Sequence, residues 1–421
     1  MGREQVRRIQ GCIAATVLAA ALAGGVPAGA QEQGWRPTAG GWVSGPVEYI
    51  TTVAREVGTA VDAVLHERRL YVTTWRSFSI YDVSDPLAPR HLSTRQLGPS
   101  LYNEQPQTNG EILLISRDAR YAPAVPGLPP GTNGGALEIY DVRDADNPQR
   151  IGVYVTPPGQ RDHLWTCVFD CAYAYSASGT ILDLRDPTAP RVVGNWSQQA
   201  PYRPQRFHHV IEVAPGIVMT GSLPSYVLDA RVDPTAPTVL ASVEPKTAAP
   251  MPGAVMPSPL PKPMEESLPA RVDWPGATKG RLALISMETP FSGPCTEESG
   301  DFQTFLTTGW RQSGTFKAAD SYDLRKNGTF TDGRPPANLL GCSSYGMDVH
   351  PRFAQAGGSV ALSFFEHGIR VLGVDARGQI SERAGFLPHA GNSARPVWVT
   401  DEILYVIDLH RGIDVLRVSG A

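Results

Sequence analysis

Four stretches of the chain superimpose residue by residue, and this repeat limits the possible folds more than any other feature. They are Ser79-Ile80-Tyr81-Asp82-Val83 with Asp85-Pro86 behind it, Glu138-Ile139-Tyr140-Asp141-Val142 with Asn147-Pro148, Ile181-Leu182-Asp183-Leu184 with Asp186-Pro187, and Val227-Leu228-Asp229-Ala230 with Asp233-Pro234. Each is an alternating apolar run that stops at a turn. Proline fixes φ in that turn, and the Asp or Asn before it bonds the following backbone amides, so the residues specify where the strand ends. A second short strand follows, such as 150–154 or 191–196, and another strand pair precedes, as in 165–168 with 172–175 or 210–213 with 216–219. The repeating unit is therefore four strands.

A four-stranded unit recurring about every 45 residues is the pattern of a β-propeller blade, which buries its faces only by stacking on its neighbours. Degenerate units are legible at 359–387 and 402–418, and the count is seven: 58–98, 99–160, 161–200, 201–245, 270–335, 342–388 and 389–421. The last unit lacks its outermost strand. Residues 46–53 alternate as a strand should, so the expectation is an all-β, seven-bladed propeller of four-stranded blades whose ring is closed by this N-terminal strand. The chain is longer than seven compact blades require, and the surplus is expected in loop insertions at 121–135, 245–274 and 289–341. Residues 31–45 are read as a linker.

Arg3, Arg7 and Arg8 precede an uncharged run from Cys12 to Val26, and Ala28-Gly29-Ala30 offers small residues for cleavage, so residues 1–30 are expected to be a signal peptide. The Ala/Gly-rich run is short for a membrane anchor. The expected location is secreted, extracellular or cell-envelope, with no transmembrane segment after cleavage; Arg7-Arg8 leave the export route open. A net charge of −4 argues against binding along a nucleic-acid backbone.

The Ile-Tyr-Asp-Val and Asp-Pro pattern resembles the LVIVD-repeat proteins, secreted or surface bacterial β-propellers, over most of the chain beyond residue 30. Gly373 and Arg417 stand where the other units carry Asp82, Asp141, Asp183 and Asp229, and the fifth unit matches only around Asp320 to Leu324. The resemblance implies a fold and an exported setting, and no particular reaction.

Beyond the leader lie Cys167, Cys171, Cys295 and Cys342, an even number suited to disulfides in an oxidising compartment. Cys167 and Cys171 flank a short hairpin connection and are expected to pair, leaving Cys295 with Cys342. The competing reading makes His163, Cys167 and Cys171 metal ligands, and the intervening turn weighs against it. His163 and His208 each stand five residues before matching strand positions, Val168 and Val213, which puts them at equivalent places before the inner strands of adjacent blades. Imidazoles that meet over the channel can hold a transition metal, with His209, His350, His367 or His389 as further ligands. The plainer alternative is that they bond carbonyls between blades.

No G-x-S-x-G elbow, P-loop or dinucleotide fingerprint occurs. Asp82, Asp141 and their equivalents recur once per repeat and are expected to cap turns, while Glu297, Glu298 and Asp301 read as solvated loop charge. Trp165, Tyr175, Trp196, Trp398 and Tyr405 are expected to pack between blades. The favoured function is a monomeric, non-catalytic scaffold that binds a protein or small-molecule ligand with its loop-bearing face. The alternative is a metal-dependent enzyme with its site at the channel mouth.

Overall fold

The computed structural model describes residues 34–54, 56, 59–97, 103–117, 135–157, 162–201, 208–243, 256–259, 282–288, 301–324, 343–354 and 356–421. The expected leader, residues 121–134 of the insertion expected at 121–135, Cys295, Cys342, Glu297 and Glu298 lie outside these residues.

Seven antiparallel sheets of at least four strands follow one another along the chain. Their inner strands are Ala60–His66, Gln107–Thr108, Trp165–Val168, Val210–Ala214, Met256–Pro259, Met347–Val349 and Ser393–Trp398. The apolar core is divided into wedges between blades: Leu164, Tyr175 and Trp196 of the third blade, for example, pack on Val218, Tyr226 and Leu228 of the fourth. Among the described residues, no helix is long and apolar enough to cross a membrane.

The repeat acts at the turns as the sequence predicts. Asp82, Asp141, Asp183 and Asp229 each accept the backbone N–H two residues on, at 2.9–3.1 Å. Neighbouring blades lock through the same turns. Tyr175 Oη donates to the Pro234 carbonyl of the next blade, and Tyr405 Oη donates to Pro86 O at 2.7 Å across the ring closure. A Cβ on Gly194 would lie 2.0 Å from Thr235 O, so only glycine lets the next blade's turn sit on this outer strand. Asp375 caps its turn toward Arg377 N at 2.8 Å, which supplies in the sixth blade the aspartate that Gly373 lacks.

The ring closes as expected, with Val47–Ala54 pairing antiparallel to Gly412–Val418. Arg411 clamps this seam by bonding both Thr52 and the buried Asp414. Three expectations need correction. Residues 31–45 are not simply a linker: Gly41–Ser44 adds to Ile380–Pro388 and Arg36–Pro37 adds to Gly41–Ser44, making the sixth sheet six-stranded. Burial of Trp35, Trp42 and Leu387 together drives this, with the Arg370 guanidinium 4.9 Å from the Trp35 ring centre. The expected insertion at 245–274 contains the inner strand Met256–Pro259, where prolines are tolerated because an inner strand is a sheet edge. The expected insertion at 289–341 contains Phe302–Leu306, a helical turn Trp310–Ser313 and Lys317–Tyr322, so it completes the fifth blade.

Candidate metal centre in the channel

Glu104, His163 and His208 stand just before the inner strands Gln107–Thr108, Trp165–Val168 and Val210–Ala214. His208 is fixed by its N–H to Gly221 O at 2.7 Å, and His209 O accepts Gly221 N at 2.6 Å. Gln105 has a left-handed backbone, φ 50°, rare for a residue with a Cβ. Its N–H donates to Asp62 at 2.8 Å and its side-chain amide donates across the channel to Val210 O, while Asn103 donates to Thr74 O at 2.6 Å. Bracing on both sides turns Glu104 toward the histidines.

His163 Nε2 and His208 Nε2 lie 3.1 Å apart, and Glu104 Oε2 lies 3.6 Å from the first and 3.5 Å from the second. All three residues are buried, with 6%, 3% and 6% exposure for His163, His208 and Glu104. Glu288 Oε2, from the end of Leu282–Glu288, approaches His208 Nε2 to 3.5 Å. Tetrahedral ligands bonded at ~2.0–2.1 Å stand about 3.3–3.4 Å from one another, so the triangle has the dimensions of one face of a coordinated ion.

Electrostatics point the same way. Glu104, Glu288 and Asp62 are buried here, and the Arg395 guanidinium lies 3.6 Å from Asp62. Burial raises the Asp62 carboxyl, against the charge of Arg395. Burial also opposes ionisation of Glu104, but the hydrogen bond and charge of His163, with the charge of His208, outweigh it and hold this carboxyl below its ordinary range. Burial, then the charges of Glu104, Asp62 and Glu288, push the Tyr345 phenol well above its usual value, so it stays protonated. Two Nε2 atoms at 3.1 Å leave room for one hydrogen between them.

His209 is placed behind the triangle. Its Nδ1 lies 2.6 Å from His208 Nδ1. Burial, followed by the charges of His208, Arg395 and His163, holds its pKa well below the ordinary value, so His209 is a neutral imidazole. If His208 Nδ1–H donates to it, His208 Nε2 presents a lone pair to the triangle, with His209 in the role that an outer-shell acceptor plays for a metal-binding histidine.

His350 does not join. Its Nε2 meets Asp401 O at 2.8 Å, its Nδ1 accepts Arg352 N at 3.1 Å, and its ring packs edge-on to Trp398. It serves the seam between the sixth and seventh blades. His367 lies in the Phe364–Gly368 turn, where burial and then Arg370 push its pKa down to about 4, and His389 is held at the N-terminal strap by Gly40 O. Cys167 and Cys171 form the expected disulfide, with Cα atoms 4.3 Å apart, which removes thiolate ligation from consideration. Sequence reasoning missed Glu104 and Glu288. An acidic residue close before an inner strand was the available signal for Glu104, hidden because that strand is only Gln107–Thr108.

Beyond the triangle the channel continues through a void of about 30 Å³ bounded by Asp62, Gln105, His209, Tyr345 and Arg395. It then widens into a cavity of about 400 Å³ among the inner strands, toward the end where their hairpins turn.

No protein-family model and no curated protein matches the chain. Solved structures do. The WD40 repeats of RRP9 align with a TM-score of 0.54 at 8% identity, covering 89% of this chain and 99% of that one. The Vanderwaltozyma polyspora Nup133 β-propeller domain aligns with a TM-score of 0.51 at 8% identity, covering 91% and 98%. U3-55K gives 0.50 at 8%, covering 89% and 98%. The fold is a β-propeller. At such identities the likeness concerns the fold alone, and within this propeller the Glu104–His163–His208 triangle must be judged on its own geometry.

Proposed function

We propose that this chain is an exported β-propeller of the LVIVD-repeat type that acts by binding, and that it holds a first-row divalent ion such as zinc at Glu104, His163 and His208. One observation carries the metal reading: three buried ligand atoms of suitable chemistry stand 3.1, 3.5 and 3.6 Å apart. Nitrogen and carboxylate oxygen together suit zinc and its neighbours better than magnesium or calcium. Export is supported by the basic and apolar leader and by the Cys167–Cys171 bridge, a linkage at home in an oxidising compartment. The repeat residues support the family.

Three protein ligands leave a coordination position open, and this favours metal-dependent catalysis as the second reading. Elemental analysis of the purified full chain, with zinc titration calorimetry after chelation, tests the primary one. The expected result is one ion per chain, and loss of binding in the His163→Ala, His208→Ala double variant. A chelated protein that takes up no zinc at micromolar concentrations refutes the metal centre.

A further inference from the structure

The hairpin that follows the third inner strand departs from its neighbours. The second and fourth blades turn at this place with glycine in left-handed backbone, Gly110 at φ 89° and Gly216 at φ 71°. The third blade has Phe169, Asp170 and Cys171 there, at φ 53°, 56° and 61°. Left-handed backbone is disfavoured for a residue with a Cβ and is ordinarily visited at single positions, so three in succession need a constraint from outside the turn. The Cys167–Cys171 bridge closes over them and supplies it.

The constrained turn reaches the blades on both sides. Asp170 O accepts Asn109 Nδ2 of the second blade at 3.1 Å, and Phe169 N donates to Glu212 Oε1 of the fourth at 3.0 Å. The Phe169 ring lies over Gly216, where a Cβ would stand 2.5 Å from Phe169 Cζ. Cys167, Asp170 and Cys171 line the cavity of about 400 Å³ together with Asn109 and Glu212, at the end of the channel away from the triangle. One disulfide therefore sets the backbone that joins three blades around this cavity. Cys167 is half-buried, whereas Cys171 is only 3% exposed, so the Cys167 sulfur is the one an incoming thiol meets.

We propose that the Cys167–Cys171 bridge is a redox-sensitive clasp on this end of the channel, held shut by the disulfide and released by an external dithiol. A thiolate of the dithiol attacks Cys167 Sγ, the Sγ–Sγ bond breaks, and its electron pair leaves on Cys171. The dithiol's second thiolate then attacks the mixed disulfide, which frees Cys167 and turns the dithiol into a disulfide. Two electrons have passed to the protein, and its two thiolates take up the protons that the dithiol gave. Without the bridge, residues 169–171 leave the left-handed region, Phe169 N–H parts from Glu212 and Asp170 O from Asn109, and the seams on both sides of the third blade loosen at this end. The proposal does not rest on the metal reading.

Hydrogen exchange of the full chain, read by fragmentation mass spectrometry with and without about 10 mM dithiothreitol as the dithiol, tests it. Thiol alkylation verifies that Cys167 and Cys171 are reduced. In the reduced chain the amides of Phe169 and Ala172 are expected to exchange about tenfold faster or more, while those of the seam between Val47–Ala54 and Gly412–Val418 keep the parental rate. Reoxidation is expected to restore the slow exchange. Because dithiothreitol acts on any other disulfide of the chain as well, the Cys167→Ala, Cys171→Ala double variant is expected to show the same local increase without reductant. If that variant does not fold, a Cys295→Ala, Cys342→Ala variant, which keeps this bridge, is reduced in its place. Parental exchange at Phe169 and Ala172 in a folded, reduced chain overturns the proposal. So does a bridge that resists the dithiol, or that yields only with exchange rising throughout the ring, as a purely structural staple would.

Discussion

Asp183 at the rim and Glu104 in the channel are both carboxylates, yet their surroundings are built in opposite ways. Asp183 is served by its own turn: Arg185 donates from its backbone at 3.1 Å and from its guanidinium at 3.0 and 2.6 Å, and the whole arrangement spans three residues. The same unit recurs at Asp141 with Arg143, Asp229 with Arg231 and Asp375 with Arg377. Glu104 is served by residues far away in the chain, His163 and His208, each from a different blade. Repetition makes the wall of a propeller, because every blade must end its strands in the same way. Its axis is the one place where all blades converge, so a single substitution per blade can assemble a site there that no repeat unit contains.

The sharpest test of that contrast exchanges one carboxylate in each region. Glu104→Gln is expected to weaken zinc binding on the order of 100-fold, by replacing an anionic ligand with a neutral one, whereas Asp183→Asn should leave the affinity unchanged. Calorimetry on both variants decides; equal losses would mean that the triangle is not the metal site.

Acid titration separates the rim aspartates from Asp408 at the closing blade by sign. Hydrogen bonds from Ser84 hold Asp82 at about 2, and the Arg185 side chain does the same for Asp183. Their folded pKa values are depressed, so the stability they contribute is present above the ordinary value of about 3.9 and lost as pH falls toward 2. Asp408, buried at the closing blade, is pushed up to about 6 by burial first and Asp414 second. Here the folded protein binds the proton more tightly, so stability falls as pH rises between about 4 and 6, by roughly 2–3 kcal/mol for a shift of this size. Urea midpoints at pH 4, 5, 6 and 7 should show that slope, and Asp408→Asn should flatten it.

A rim substitution should do the reverse of a channel one. Gly194→Ala places a methyl against Thr235 O and is expected to cost on the order of 1–3 kcal/mol of stability without altering zinc affinity. Denaturant unfolding and zinc calorimetry, run together, check both halves.

What could be read in the sequence follows the same division. The blades, their turns and the closing strand are legible because a period-two pattern and an Asp-Pro turn are local and repeated. His163 and His208 are legible because an equal offset within two clear repeats is enough to place them at one height. Glu104 is not, since its strand is two residues long behind Pro106 and gives no alternation to count from. Glu288 enters from the end of a second strand, where the offset rule does not apply. Met256–Pro259 is masked by its prolines, which signal a loop everywhere except at a sheet edge. Gly41–Ser44 has no counterpart in the other blades among the described residues, so no repeat announces it.

His209 offers the finest test, because it belongs to the channel without touching the ion. Its ring nitrogen stands 2.6 Å from His208 Nδ1 and, being neutral, it can accept the hydrogen that fixes the tautomer of His208. Without that acceptor, His208 has no reason to keep its proton on Nδ1, and the Nε2–H tautomer, which cannot ligate, gains population. His209→Ala is therefore expected to weaken zinc about tenfold while leaving one ion per chain at saturation. His209→Gln restores an acceptor of comparable reach and should recover most of the loss, which a merely space-filling role for the imidazole would not predict. Calorimetry on parent, alanine and glutamine proteins reads both effects, and an alanine variant with parental affinity would remove His209 from the metal-binding machinery.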